Sequence, residues 1–98
     1  MSDVQVDAGR RFGGLQRLYG LAHADRIQRS HVAIVGIGGV GSWIAEALAR
    51  SGVGEISLLD MDHVAESNIN RQVHALTSTL GMAKIEAMRE RIAHINPH

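Results

Sequence analysis

Val32-Ala33-Ile34-Val35-Gly36-Ile37-Gly38-Gly39-Val40-Gly41-Ser42 is the stretch that decides the fold of this chain. Its first four residues are apolar and mostly β-branched, the pattern of a short buried strand. Glycine then takes four of the next six positions, and a helical pattern follows over about residues 42–51. Strand, glycine turn and helix form the context in which a glycine pattern points to nucleotide binding. Gly36, Gly38 and Gly41 fill the G-x-G-x-x-G template. The first allows a tight turn, the second lets backbone approach phosphate, and the third lets helix pack close on strand. N–H groups at the helix start then aim at an anion, helped by the helix dipole.

Downstream, the new helix carries Ile44, Ala47 and Leu48 at the i, i+3, i+4 spacing of an inward face. Gly52 falls where a C-terminal cap is expected, with Gly54 just beyond. Residues 55–60, Glu-Ile-Ser-Leu-Leu-Asp, read as a second strand. A helix between two strands predicts a parallel βαβ unit with a right-handed crossover. Residues 63–79 are polar and irregular, a connection long enough to be functional or disordered. A second helix opens at Gly81 or Met82, with Ile85, Met88, Ile92 and Ile95 as its apolar stripe, and Asn96-Pro97 stops it.

Upstream, residues 1–9 read as a loose tail. Residues 10–20 mix cations with aromatics, and their glycines argue against one long helix. Residues 21–28 suit a short helix with Leu21, Ala24 and Ile27 or Gln28 on one side, covering a sheet edge. The order is therefore β-α-β-loop-α, in the α/β class, and the chain stops where a third strand is due. Parallel sheets are normally covered on both faces. The expected architecture is the N-terminal β-α-β-α portion of a Rossmann-like, doubly wound parallel sheet, over residues 10–98 of a longer domain.

Composition narrows the function. Ten basic and ten acidic side chains cancel, so charge balance gives no support for non-specific nucleic-acid or membrane binding. With no cysteine, disulfides, thiolate metal sites and cysteine nucleophiles are excluded within these residues. The acidic start, Met1-Ser2-Asp3-Val4, is not a secretory signal, and no run approaches the ~20 apolar residues that span a bilayer. Six histidines form no ligand set, since Pro97 breaks the helix between His94 and His98.

The chemistry gathers after the glycines. Asp60 ends the second strand, where a doubly wound fold places an acid on a nucleotide ribose. Asp62 reads as a loop cap or metal-side group. Ser67-Asn68-Ile69-Asn70-Arg71-Gln72 is dense in donors and acceptors, and by itself it reads equally as a solvated loop. Lys84 sits in the first turn of its helix, where a cation opposes the macrodipole by ~0.3–1 kcal/mol. A residue set against a local rule suggests a job, and a mobile ammonium there can reach phosphates.

In this order and spacing, Gly36-x-Gly38-Gly39-x-Gly41, Asp60-x-Asp62, Ser67-Asn68-x-Asn70-Arg71-Gln72, Lys84 and Ile95-Asn96-Pro97 resemble the ubiquitin-activating-like (ThiF/MoeB/HesA) adenylating enzymes. The doubled glycine and the Asn-Arg-Gln run are absent from ordinary dehydrogenases. Arg11-Phe12-Gly13-Gly14-x-x-Arg17-Leu18-Tyr19-Gly20, Ser42-Trp43 and Asn70-Arg71-Gln72-x-His74-Ala75-Leu76 look like the branch that dehydrates threonylcarbamoyladenosine in tRNA. The resemblance implies ATP and Mg2+ as cofactors, a tRNA substrate, a homodimer and a cytoplasmic setting. It also implies roles. Gly39 and its neighbours contact phosphates, Asp60 contacts ribose, and Asn70, Arg71 and Lys84 sit on phosphates. Arg71 and Lys84 would be the catalytic pair, with Asp62, Ser67, Asn68 and Gln72 around the nucleotide.

Two departures go with it. Sulfur-carrier enzymes of the family use an N-terminal arginine that reaches across a dimer. Gly14 holds that position here, leaving Arg11 or Arg17 to substitute, or no such finger. The family's magnesium aspartate falls beyond residue 98, so these residues alone are expected to be inactive. The alternatives are an adenylyltransferase acting on a ubiquitin-like sulfur carrier, and a non-catalytic nucleotide-binding fragment. A dinucleotide oxidoreductase leaves Asn70-Arg71-Gln72 and Lys84 without a role.

Overall fold

The computed structural model describes residues 8–96. Of the tail expected over residues 1–9, residues 1–7 lie outside them, while Ala8 and Gly9 belong to a helix that opens the described chain; Pro97 of the expected stop also lies outside them. The order is α1 (Ala8–Tyr19), α2 (Leu21–Arg29), β1 (His31–Val35), α3 (Gly41–Arg50), β2 (Glu55–Leu59) and α4 (Lys84–Ile95). Two 3-10 turns, Glu66–Asn68 and Thr77–Thr79, interrupt the link from β2 to α4. β1 and β2 pair in parallel, with His31 opposite Glu55 and Val35 opposite Leu59. Among the described residues these two strands form the whole sheet, a small Rossmann-like α/β unit.

Residues from one sheet face, α3, α4 and the β2–α4 link meet in the core. Ile34, Ile37, Ala45, Val73 and Met88 are buried together, with Val32, Leu48, Ile56, Leu58, Ile85 and Ile92 packed around them. The α4 stripe is thus inward, as its spacing predicts. The opposite sheet face is open, with Val35 82% and Leu59 52% exposed.

The end of α3 shows how one glycine sets a boundary. Gly52 adopts φ 80°, a region that costs other residues steric strain. Its N–H reaches the Ala49 carbonyl at 3.1 Å, and the Val53 N–H reaches Leu48 at 3.1 Å. This paired closure satisfies the last helical carbonyls and turns the chain into β2.

Two expectations are corrected. α1 runs through Gly13 and Gly14 despite a cost of ~1 kcal/mol per glycine in a helix interior. Tertiary contacts outweigh that cost: Phe12 is buried, and Phe12 and Leu15 lie beside Gly52. Arg11 also donates from Nη1 to the Ile95 carbonyl at 2.8 Å, capping the end of α4. The second correction concerns α3. Its buried face is Ser42, Ala45, Glu46 and Ala49, while Ile44 and Ala47 face outward. The small Ala45 and Ala49 side chains let α3 lie close to the sheet and α4. In α2, Ala24 is buried and Ile27 partly so, while Leu21 points to solvent.

Candidate functional site

The site forms where β1 hands over to α3. Gly36 has φ 87° and donates its N–H to the Leu59 carbonyl at 2.8 Å, so the turn starts at the end of the sheet. A Cβ on Gly41 would overlap the Gly36 carbonyl, which is the close packing the third glycine permits. The N–H groups of Gly39, Val40 and Gly41 carry no hydrogen bond to any described residue. Free donors at a helix start are what an anion cradle requires.

The β2–α4 link, expected as a polar and irregular connection, is folded against this cradle. Val64, Asn68, Gln72, Val73, His74, Ala75 and Thr79 are all buried. Three contacts tie it to the glycine turn. Ser42 Oγ donates to the Gly38 carbonyl at 2.5 Å and accepts the Val73 N–H at 3.3 Å. Trp43 Nε1 donates to the Arg71 carbonyl at 2.7 Å. His74 Nε2 meets the Ile37 carbonyl at 2.8 Å, and since a carbonyl only accepts, Nε2 carries the proton.

The link also aims the predicted side chains. Arg71 lies beside Gly39, with its guanidinium held by the Ser67 carbonyl at 2.9 Å and Asn70 Oδ1 at 3.2 Å. The Gln72 amide nitrogen faces Gly38, and its buried Oε1 has no partner. Asn68 is buried and accepts the Ala65 N–H at 2.8 Å, so it shapes the loop. The Ser67 and Asp62 side chains are exposed.

Asp60 stands against the turn. Its Oδ2 accepts the Ile37 N–H at 2.7 Å and its Oδ1 accepts the Asp62 N–H at 2.7 Å. Partial burial works to raise the carboxyl pKa. The two N–H donors, with the charges of Lys84 and His74 added, outweigh it and hold the pKa below the ordinary 3.8. Each oxygen keeps a lone pair for a hydroxyl. Because the folded pKa is depressed, this carboxylate contributes stability above pH 3.8, and the contribution is lost as pH falls through the lower native value. The natural sequence should therefore be more stable than Asp60→Asn at neutral pH, and that difference should shrink as pH falls below 3.8. Equilibrium denaturation of both between pH 2 and 7 checks this, and a constant difference over that range would count against it.

Lys84 comes to the site through a short bridge. The Lys84 N–H meets the Asp62 carbonyl at 2.9 Å, and the Val64 N–H meets Met82 at 2.7 Å. The residue as a whole is 7% exposed. Its side chain makes no hydrogen bond or ion pair with any described residue, and Asp60 feels its charge. An ammonium without a protein partner beside a carboxylate and a glycine turn is available to an anion.

Of the predicted set, the structure gathers Gly36, Gly38, Gly39, Gly41, Asp60, Arg71, Gln72 and Lys84 around one turn. Asp62, Ser67, Asn68 and Asn70 contribute through backbone or loop contacts. Sequence reasoning missed Ser42 and His74. The hydroxyl directly after the glycine run and the histidine two places beyond Gln72 were the available signals. Of the two candidate finger arginines, Arg11 is engaged at the end of α4, while Arg17 is exposed on α1. Among the described residues no three acidic or imidazole side chains converge as a metal site. No helix among them is long and apolar enough to cross a membrane.

Fold and site together define a Rossmann-like α/β unit with an anion cradle at its glycine turn. Residues 12–98 match the ThiF family, and the chain belongs to it. It is 57% identical to the tRNA threonylcarbamoyladenosine dehydratase of Escherichia coli (strain K12) over 98 residues, covering 99% of this chain and 37% of that protein. The enzyme of that name from Bacillus subtilis (strain 168) is 58% identical over 73 residues, 74% of this chain and 29% of the relative. The crystal structure of the E. coli enzyme in complex with ATP superimposes with a TM-score of 0.90 at 56% identity, covering 96% of this chain and 39% of that one. The chain thus spans between 29% and 39% of the length of these relatives.

Proposed function

We propose that this chain is the nucleotide-cradling part of an ATP-dependent adenylating enzyme whose substrate is threonylcarbamoyladenosine in tRNA. The observation that carries the reading is Lys84, whose ammonium has no protein partner and whose charge is felt by Asp60, beside a turn with three free N–H donors. The similarity to a dehydratase solved with ATP supports the same ligand here.

In this reading the substrate carboxylate attacks the α-phosphorus and pyrophosphate leaves. An internal nucleophile of the threonylcarbamoyl group then attacks the acyl adenylate and closes the ring, and AMP leaves. The net change on the nucleoside is loss of water. The chain's own residues position and neutralise. The turn N–H groups and Lys84 hold phosphates, Asp60 accepts ribose hydroxyls, and Arg71 offsets charge developing on pyrophosphate. Such roles are what transition-state stabilisation of a phosphoryl group asks of a protein. Mg2+ belongs to the same reading as the partner of the ATP phosphates, and no step here runs through it.

The reading includes a longer domain over residues 10–98 and onward. The open sheet face with Val35 and Leu59 supports it, because further layers of a doubly wound sheet would cover that face. A homodimer and a cytoplasmic setting belong to the same reading, and the 98 residues alone are inactive in it. The test supplies the full-length protein with ATP, Mg2+ and threonylcarbamoyl-modified tRNA, and follows the nucleoside by mass spectrometry. Loss of one water with release of AMP is expected. No change in the tRNA, with adenylation of a ubiquitin-like sulfur carrier instead, would move the assignment to the carrier-activating branch.

A further inference from the structure

Away from the cradle, a cavity of about 640 Å³ opens between α1, α3, α4 and the second half of the β2–α4 link. Arg11, Arg50 and Arg91 line it, with His74, Glu90 and His94. The cradle and its ligand groups Asp60, Arg71 and Lys84 are not in this lining. No part of the adenylation chemistry uses it.

The arginines are arranged by one buried acid. Glu46 is 8% exposed, on the inward side of α3. Its Oε1 pairs with Arg91 Nε, and its Oε2 lies 3.7 Å from Arg50 Nε. Both arginines therefore meet the acid through Nε. Their terminal Nη groups make no hydrogen bond or ion pair with any described residue. Two forks held this way present planar donors that match the oxygens of a phosphoryl group, which a lysine pair would not do. Glu46 cancels one charge and Glu90 another, so the three arginines leave the lining with an excess of one cation.

His74 joins this cavity to the cradle. It is 1% exposed, its Nδ1 is buried without a partner, and its Nε2 holds the Ile37 carbonyl. Ile37 in turn donates its N–H to Asp60. We propose that the Arg50–Arg91 cavity is a second anion site that takes a phosphoryl group, separate from the glycine-turn cradle and reported to it through His74.

The test titrates the full-length protein with inorganic phosphate and follows the His74 ring by proton–nitrogen NMR. A saturable shift is expected. Arg50→Gln, an exposed change that leaves the fold intact, should weaken the apparent affinity about tenfold, the scale of one charge-assisted hydrogen bond. Arg91→Lys keeps the charge on Glu46 but loses the fork, and should weaken it similarly. Lys84→Gln should leave the affinity within about twofold, because the cradle is a different site. A uridine trinucleotide that displaces phosphate would identify the source as an RNA backbone, and displacement by pyrophosphate alone would identify a free anion. No saturable shift, or a loss in Lys84→Gln as large as in Arg50→Gln, overturns the proposal. The latter result would place the phosphate in the cradle.

Discussion

Lys84→Met should lower adenylation by the full-length protein by about 10²–10³-fold, the loss typical of removing one preorganised charge-stabilising donor. The same change should alter unfolding free energy by less than about 1 kcal/mol. Both halves follow from the same geometry. The ammonium makes no hydrogen bond with any described residue, so its removal strands no protein partner. The methionine side chain has similar length, so little cavity is left. What disappears is a cation whose charge reaches Asp60 and which would offset phosphate charge at the turn. ATP–pyrophosphate exchange and denaturant unfolding on the same variant separate the two. An intact exchange rate would remove Lys84 from the phosphate site. A stability loss of several kcal/mol would make it a structural residue.

Gly41→Ala should act on the fold itself, destabilising it by about 1–3 kcal/mol or more, the range of an overpacked core. An added Cβ would overlap the Gly36 carbonyl, and backbone there cannot rotate away as a side chain would. Moving it would disturb the Gly36 N–H bond to Leu59 and the Ser42 bond to Gly38, so both strand end and helix start would shift. Gly39→Ala offers the contrast. Its Cβ would meet the Arg71 side chain at 3.6 Å, an ordinary contact with a flexible neighbour. It should fold near normally and lose nucleotide affinity instead. Urea midpoints of the two variants check the ranking, and equal midpoints would show that the turn relaxes more readily than this geometry allows.

The two glycines divide the turn into a part that builds the fold and a part that meets the ligand. The division extends to the β2–α4 link. Ser42, Trp43 and His74 spend their polar atoms on carbonyls and N–H groups of the turn and link, while Arg71 and Lys84 keep charge available. A cradle of this type needs rigid support behind a few unsatisfied donors.

Much of this was legible in the residues alone. The apolar run ending at Val35, the glycines at 36, 38 and 41, the cap at Gly52 and the stripe on α4 are local patterns. Each is governed by backbone sterics or by period, so neighbours in sequence suffice to set it. The positions of Asp60 and Lys84 were readable for the same reason, since strand end and helix start are local events.

Tertiary structure decided what local pattern leaves open. α3 offers two inward stripes, one through Ile44 and Leu48 and one through Ala45 and Ala49, and only the closeness of the sheet and α4 selects the second. Gly13 and Gly14 argue against a helix by propensity, yet contacts of Phe12, Leu15 and Arg11 with distant residues hold α1 together. The link after β2 is polar by composition, yet Val64, Asn68, residues 72–75 and Thr79 are buried, because the glycine turn offers them carbonyls and donors that no neighbour in sequence supplies. The burial of Lys84 has the same origin. Sequence places a cation on the first turn of α4, but the bridge from Asp62 to Met82 and the packed link decide how much of the residue is covered. Desolvation is a property of what surrounds a group in space, and so it is settled only when the chain has folded.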